Sequence, residues 1–361
     1  MNLFKLVNVI EKGMSTLNIE QNLCSRLISP KSTCQSCVAN CPTNSITFKN
    51  NKIEVDDHCV ECGLCTTVCP TSALSSQRPS LNQLVTTIIQ MCGQNERVYL
   101  RCDKMQISDS EIAAVTVPCL GMIPREVWVT ISSYCDNLSI YQSEKSCRDC
   151  EISMGEVVWR KELRAGEAMS GKQLSVTSTI QPSRQKTQFN NSRRAFFTRL
   201  VSEIKTTNKL ALREELGGSG VQSYQEKLQE NHMIKVKKEW TAVTNRIVER
   251  VTNESVLPNI NKRNLFLAEI QKNEDLKKRK DCRLPTILPD CNFCGACTIL
   301  CPTSALTLEN GNGVTMINLE PAKCVDCHLC EEICFFQHIF LQDELNGKLL
   351  AKTIVLAVKR N

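Results

Sequence analysis

The sequence predicts an α+β protein in which two small cysteine-rich modules flank an α/β domain and a helical linker. Three observations lead there. The stretch "CVECGLCTTVCPTSAL" at 59–74 has a near copy, "CNFCGACTILCPTSAL", at 291–306. Between 80 and 160, stretches of strand and helix period alternate. From 165 until Cys282 there is no cysteine, and helix-period stretches dominate. The implied domains are 20–78, 80–160, 161–284 and 285–342.

Each motif has a companion: "CQSCVANCPTNSI" at 34–46 precedes the first, and "CVDCHLCEEICFF" at 324–336 follows the second. Between the paired motifs lie "ITF" and "KIEV" around an Asn-Asn turn, and "LTL" and "VTMINL" around "ENGNG". Both read as β-hairpins. A hairpin with two cysteine loops is too small for a sizeable apolar core, so metal binding should supply much of its stability.

Composition agrees. Aromatics are only 5% of the chain, whereas cysteines number 23, so sulfur chemistry must replace some ring packing. The start "MNLFKLVNVIEKGMSTLNIE" has no sustained apolar region, and no stretch reaches the roughly 18 apolar residues of a membrane span. A cytoplasmic location is therefore expected. There, cysteines serve as metal ligands more often than as disulfides.

Four thiols spaced two, two and three residues apart, with proline after the last, suit a 4Fe-4S cube. The C-x2-C-x2-C run wraps one face, and a fourth thiolate comes from elsewhere. Structural zinc prefers two C-x2-C pairs on a longer spacer and fits this pattern badly. Gly63 and Gly295 allow the tight turns that a cube requires. His58 and His328 adjoin ligands, either as ordinary loop residues or as groups that raise a potential or carry protons.

These motifs resemble the bacterial-type two-cluster ferredoxin family. In that family the cysteine before proline ligates the other cluster. The resemblance implies four 4Fe-4S clusters. In the C-terminal module one takes Cys291, Cys294, Cys297 and Cys334, and its neighbour takes Cys324, Cys327, Cys330 and Cys301. In the N-terminal module one takes Cys59, Cys62, Cys65 and Cys41. The last departs from the pattern: Lys31 stands where a cysteine is expected, leaving Cys34, Cys37 and Cys69. Cys24 is the nearest spare thiol and is expected as the fourth ligand. The rival reading is a three-iron cluster with Cys24 idle. A second departure is Phe335, in place of the proline after Cys334.

Between the modules, "SLNQLVTTIIQMC" reads as helix, "RVYLRC" and "AAVTVPCLG" as strands, "IPREVWVTISSYC" as helix and "NLSIYQ" as strand. A helix through "VVWRKELRAG" follows. Alternation predicts a small parallel sheet. Its strands should bring Cys102, Cys119, Cys147 and Cys150 to one edge, with Cys92 and Cys135 at the other. The four convergent thiols form a candidate metal site, for a 2Fe-2S cluster or zinc. Unligated thiols and a Cys147–Cys150 redox pair stay open. "PCLG" at 118–121 and "CRDC" at 147–150 distantly resemble the hydrogenase delta-subunit domain, which implies 2Fe-2S.

Polar residues 170–192 read as a mobile linker. Stretches 193–204, 237–251 and 264–280 read as amphipathic helices that either join the modules or dock a partner. "LGGSG" at 216–220 follows no strand and is no dinucleotide fingerprint. The formal charge of +6 does not imply nucleic acid, because four oxidised clusters at about −2 each bring the total to about −2. The expected function is an electron-transfer protein, a subunit or partner of a larger oxidoreductase. Its partners are redox proteins, not nucleic acid, and a membrane-associated partner is compatible with the absence of a span. The alternative is a redox enzyme whose middle cysteine site performs thiol–disulfide or hydrogenase-linked chemistry. No catalytic constellation is visible.

Overall fold

The structure, a computed structural model, describes residues 16–105, 112–143, 147–186, 262–272, 283–311, 313–343 and 352–360. The helices expected at 193–204 and 237–251, the 216–220 turn and Cys282 lie outside the described residues.

The N-terminal module contains β1 (Leu17–Ile19), α1 (Ser25–Ile28), α2 (Ser36–Ala39), β2 (Ile46–Lys49), β3 (Lys52–Val55), α3 (Leu64–Val68) and β4 (Leu74–Ser76). Strands β2 and β3 form the expected hairpin, pairing Ile46 with Val55 and Lys49 with Lys52. Asn50 and Asn51 both take positive φ, the conformation that matches a two-residue turn to the twist of its strands. Ile46 and Ile53 point inward beside Leu74, Cys24, Cys37 and Cys69. Strand β1 pairs antiparallel with β4. The helices span four or five residues, too few to stand alone, so their surroundings must hold them.

The α/β domain follows, with α4 (Leu81–Gln94), β5 (Val98–Cys102), β6 (Ala114–Val117), α5 (Arg125–Tyr134), β7 (Leu138–Tyr141), α6 (Gly155–Ser170) and β8 (Ser175–Thr177). Helix α4 starts at a capping box, in which Ser80 Oγ accepts from Gln83 N–H and Gln83 Oε1 accepts from Ser80 N–H. The four strands are parallel, in the order β6-β5-β7-β8. Trp128 and Trp159 are fully buried on α5 and α6. A Cβ on Gly166 would lie 2.5 Å from Trp128 Cβ, so this glycine lets the helices meet. Nearby, Arg125 grips the buried Glu162 through both carboxylate oxygens, at 2.7 and 2.9 Å.

The linker expected from 170 requires a correction. Residues 175–177 form β8, and the chain to Lys186 stays on the domain: Gln181 N–H donates to Tyr99 Oη, and Lys186 N–H donates to the Gln94 carbonyl. The polar composition reflects an exposed edge strand.

Helix α7 (Lys262–Lys272) packs on α5 and on a 3-10 turn, Pro321–Lys323. Its Phe266 and Ile270 share a core with Val129 and Met169 of the α/β domain and with Leu306, Ile317 and Leu319. The C-terminal module has β9 (Arg283–Ile287), α8 (Ala296–Ile299), β10 (Leu306–Gly311), β11 (Val314–Leu319), α9 (Leu329–Ile333), β12 (Ile339–Asp343) and β13 (Ile354–Arg360). Strands β10 and β11 form its hairpin, and β9 pairs with β12. Strand β13 adds to β11 and carries the module beyond 342. Among the described residues, no helix is long and apolar enough to cross a membrane.

Candidate metal centres

Cys24 closes the N-terminus of α1, and the N–H groups of Arg26 and Leu27 face its sulfur. The fold brings it to Cys34, Cys37 and Cys69, and all four line one cavity with Phe48 and Ile53. Burial, then the neighbouring thiolates of Cys69, Cys34 and Cys24, push the Cys37 thiol up to about 12. Thiols crowded out of water in this way stay protonated unless a metal takes the proton's place. A second cavity is lined by Cys41, Cys59, Cys62 and Cys65. Cys65 also lies near Cys37, so the two sulfur sets adjoin.

The C-terminal module repeats this arrangement. Cys297 is surrounded by Cys291, Cys294 and Cys334, and burial first, then these sulfurs, raise it to about 12. Cys330 is surrounded by Cys324, Cys327, Cys297 and Cys301. Cys294 is the exposed cysteine among the described ones, and Ile299 and Phe335, beside the same set, are each 78% exposed. One face of this set is therefore close to solvent.

Three of the four loops share a backbone device. The residues two and four places after the leading cysteine take positive φ: Glu61 and Gly63, Phe293 and Gly295, Asp326 and His328. Alternation of left- and right-handed residues turns successive N–H groups toward a concavity that suits an anion, iron–sulfur sites included. The loop after Cys34 lacks both residues and winds into α2 instead. This is the loop that departs from the cysteine pattern.

Sulfur hydrogen bonds recur as well. Thr43, Thr71 and Thr303 stand 3.7 Å from Cys41, Cys69 and Cys301, each two residues on, across the proline. This Cys-Pro-Thr feature was readable in the sequence but was missed there. At Cys334 Phe335 and Phe336 replace Pro and Thr, and the His338 N–H donates to the sulfur at 3.3 Å, as Ala305 N–H does at Cys301. His58 is exposed and faces Asp56, whereas His328 is held by Glu331 and Arg283, each at 2.8 Å.

In the α/β domain, Cys102 ends β5, Cys119 follows β6, and Cys147 and Cys150 follow β7. The strand order places a topological switch between β5 and β7, where open sheets bind ligands beyond the strand ends. Cys119 feels Cys102 and Cys147, and Cys147 feels Cys102 and Cys150. Each sulfur faces a donor. Gly121 N–H reaches Cys119 at 3.3 Å, Ile152 N–H reaches Cys150 at 3.4 Å, Gln142 Nε2 reaches Cys147 at 3.6 Å, and Lys104 and Met105 N–H groups face Cys102. A Cβ on Gly155 would lie 2.7 Å from Cys119 Sγ, so only glycine leaves this space. The sequence reading had missed Gln142 and Gly155. Cys92 and Cys135 are buried ahead of β5 and β7, away from this edge. Cys119 also packs with Cys62 and Leu64 in one apolar cluster, so the α/β site adjoins the Cys41/59/62/65 set.

Among the described residues, no group of three His, Cys, Asp or Glu side chains is arranged to hold a single metal ion. The sulfur sets suit a multi-iron group, with inward N–H donors and crowded thiols around each cavity.

The family model of the 4Fe-4S dicluster domain matches residues 32–73 and 290–337. No curated protein and no solved structure matches the chain. The matched residues do not include the α/β domain, and the hydrogenase delta-subunit resemblance finds no support among them. The matches and the two sets of sulfur loops together support a module similar to the 4Fe-4S dicluster domain at each end of this chain.

Proposed function

We propose that this protein relays single electrons between redox partner proteins, as a subunit or partner of a larger oxidoreductase. The carrying observation is that two 4Fe-4S dicluster domains lie in one folded unit with their sulfurs gathered into four sets. We assign the ligands as Cys24, Cys34, Cys37 and Cys69; Cys41, Cys59, Cys62 and Cys65; Cys301, Cys324, Cys327 and Cys330; and Cys291, Cys294, Cys297 and Cys334. A 4Fe-4S cluster, when bound, accepts and returns one electron. The protein's own groups set how readily. Backbone N–H and threonine hydroxyl groups at the sulfurs spread negative charge, and burial excludes water.

Cys102, Cys119, Cys147 and Cys150 are assigned to a fifth site for a 2Fe-2S cluster, with zinc as the alternative. The four thiols at one sheet edge, each facing a hydrogen-bond donor, support a site there. The exposed Cys294 end supports docking of a redox partner there.

Titration of the anaerobically prepared full chain with a one-electron viologen dye tests this reading. About four electrons should enter reversibly, one per cube, with a further one if the fifth site holds iron. A chain that takes up none, or that turns over a disulfide or hydrogen without a partner, contradicts it.

A further inference from the structure

The two places where the chain departs from the ferredoxin pattern lie next to each other. Lys31 Nζ sits 5.5 Å from the centroid of the Phe335 ring. Beside them, Thr33 N–H donates to Glu332 Oε1 at 3.1 Å, and the Thr33 hydroxyl donates to the same oxygen. Inside this rim is Ser25, 2% exposed and one residue after Cys24. Its hydroxyl faces the Cys327 sulfur without completing a hydrogen bond of ordinary geometry there or elsewhere. A buried hydroxyl without a partner costs on the order of 1–3 kcal/mol unless something accepts its proton. A thiolate or sulfide at Cys327 would accept it.

We infer that the two dicluster domains are docked end to end, with the Cys24/34/37/69 set against the Cys301/324/327/330 set and the Ser25 hydroxyl as a hydrogen-bond donor between them. The departures then have one cause. With Lys31 replacing the expected cysteine, position 31 becomes part of the contact. With the ligand role moved to Cys24, the next residue, Ser25, is turned toward the other domain. Phe335, unlike the proline it replaces, offers a ring to Lys31. Cys37 lies near Cys65, and Cys330 lies near Cys297, so the four sets form one unbranched row. The row has the N-terminal set of Cys41/59/62/65 at one end and the Cys294 set at the other.

This inference rests on the cluster assignment above, and the following experiment separates the two. The full chain is loaded and reduced without oxygen, and its paramagnetic signals are compared in water and deuterium oxide. Cys327→Ala identifies the signal of the Cys301/324/327/330 site by removing it. In Ser25→Ala that same signal should lose one exchangeable-proton coupling, and its midpoint potential should fall, because a donor to sulfur is gone. In Cys327→Ala the Cys24/34/37/69 signal should narrow, having lost its magnetic neighbour. A coupling unchanged by Ser25→Ala, or narrowing confined to the Cys41/59/62/65 signal, overturns the docking while leaving the cluster assignment standing. Protein without iron, sulfide or signals overturns both.

Discussion

The two dicluster domains are the same device in different settings. The N-terminal one is enclosed, with the α/β domain packed on Cys62 and Leu64 at one side and the C-terminal domain meeting Lys31, Thr33 and Ser25 at the other. The C-terminal one is open, with Cys294, Ile299 and Phe335 exposed and an added strand, β13, on its hairpin. The loop after Cys59 packs on the α/β domain and the loop after Cys324 meets Thr33, yet both keep the regular cysteine spacing and two left-handed residues. The loop that meets Phe335 through Lys31 lacks one cysteine and both left-handed residues. A module can therefore meet a neighbour with or without departing from the motif.

The largest expected contrast is between both modules and the domain they flank. Removing iron with a chelator should unfold 17–76 and 283–343, which have little apolar core of their own. The α/β domain should persist, because Trp128, Trp159, Leu100 and Ile140 are buried without help from sulfur. Hydrogen exchange read by segment checks this. Equal loss of protection in all three would mean that the domain depends on metal as much as its neighbours do.

Glycine substitutions compare the two modules directly. Gly63 and Gly295 share φ +76, so alanine at either should cost about 1–2 kcal/mol of backbone strain. At Gly295 the nearest atom to an added Cβ is 3.7 Å away, whereas at Gly63 Met122 Cβ would be 2.6 Å away. Gly63→Ala should therefore cost a further ~1–3 kcal/mol through overpacking against the α/β domain. Thermal unfolding of the iron-loaded variants measures the difference. Equal losses would show that Gly63 does not seat the neighbour.

A subtler contrast comes from α7. Buried Lys262 Nζ donates to the carbonyls of Thr66, Thr67 and Cys69, at 3.1, 2.8 and 2.6 Å. The next residue, Arg263, donates to Pro321 and Ala322 carbonyls and faces Cys324. One helix thus places a cation beside each module. Lys262→Met should lower the potential of the Cys24/34/37/69 site, and Arg263→Met that of the Cys301/324/327/330 site, because a positive neighbour favours the reduced form. Redox titration resolves the two shifts, and a shift in the wrong module would break the comparison.

The smallest effect concerns pH. Burial opposes ionisation of Glu162, but its bonds to Arg125 prevail and hold the carboxyl below its usual range. A depressed carboxylate contributes stability above the unfolded value of about 4.3, lost as pH falls through the lower folded value. Stability of the α/β domain should therefore drop below about pH 4.3, and Glu162→Gln should flatten that drop.

Much of this was legible in the sequence because the pattern is local. Cysteine spacing, the Asn50–Asn51 turn and the strand–helix alternation from 81 to 170 each depend on near neighbours in the chain. Strand β8 was hidden because three polar residues at a sheet edge carry no apolar alternation. The Lys31–Phe335 contact was hidden for another reason: each residue could be seen as an exception, but nothing local says that the exceptions touch. Lys262 lies outside every sequence motif, and only the backbone carbonyls at the end of α3 explain its burial.

The central claim is that four sulfur sets, the one completed by Cys24 included, each hold a four-iron cluster. Mössbauer spectroscopy of the full chain, loaded with iron-57 and kept from oxygen, tests it most directly. The account predicts about sixteen irons in four-iron environments, with any ferric pair from the fifth site resolved separately. A three-iron spectrum in the protein as isolated would remove Cys24 from the ligands, and folded protein without sulfide-bound iron would contradict the claim outright.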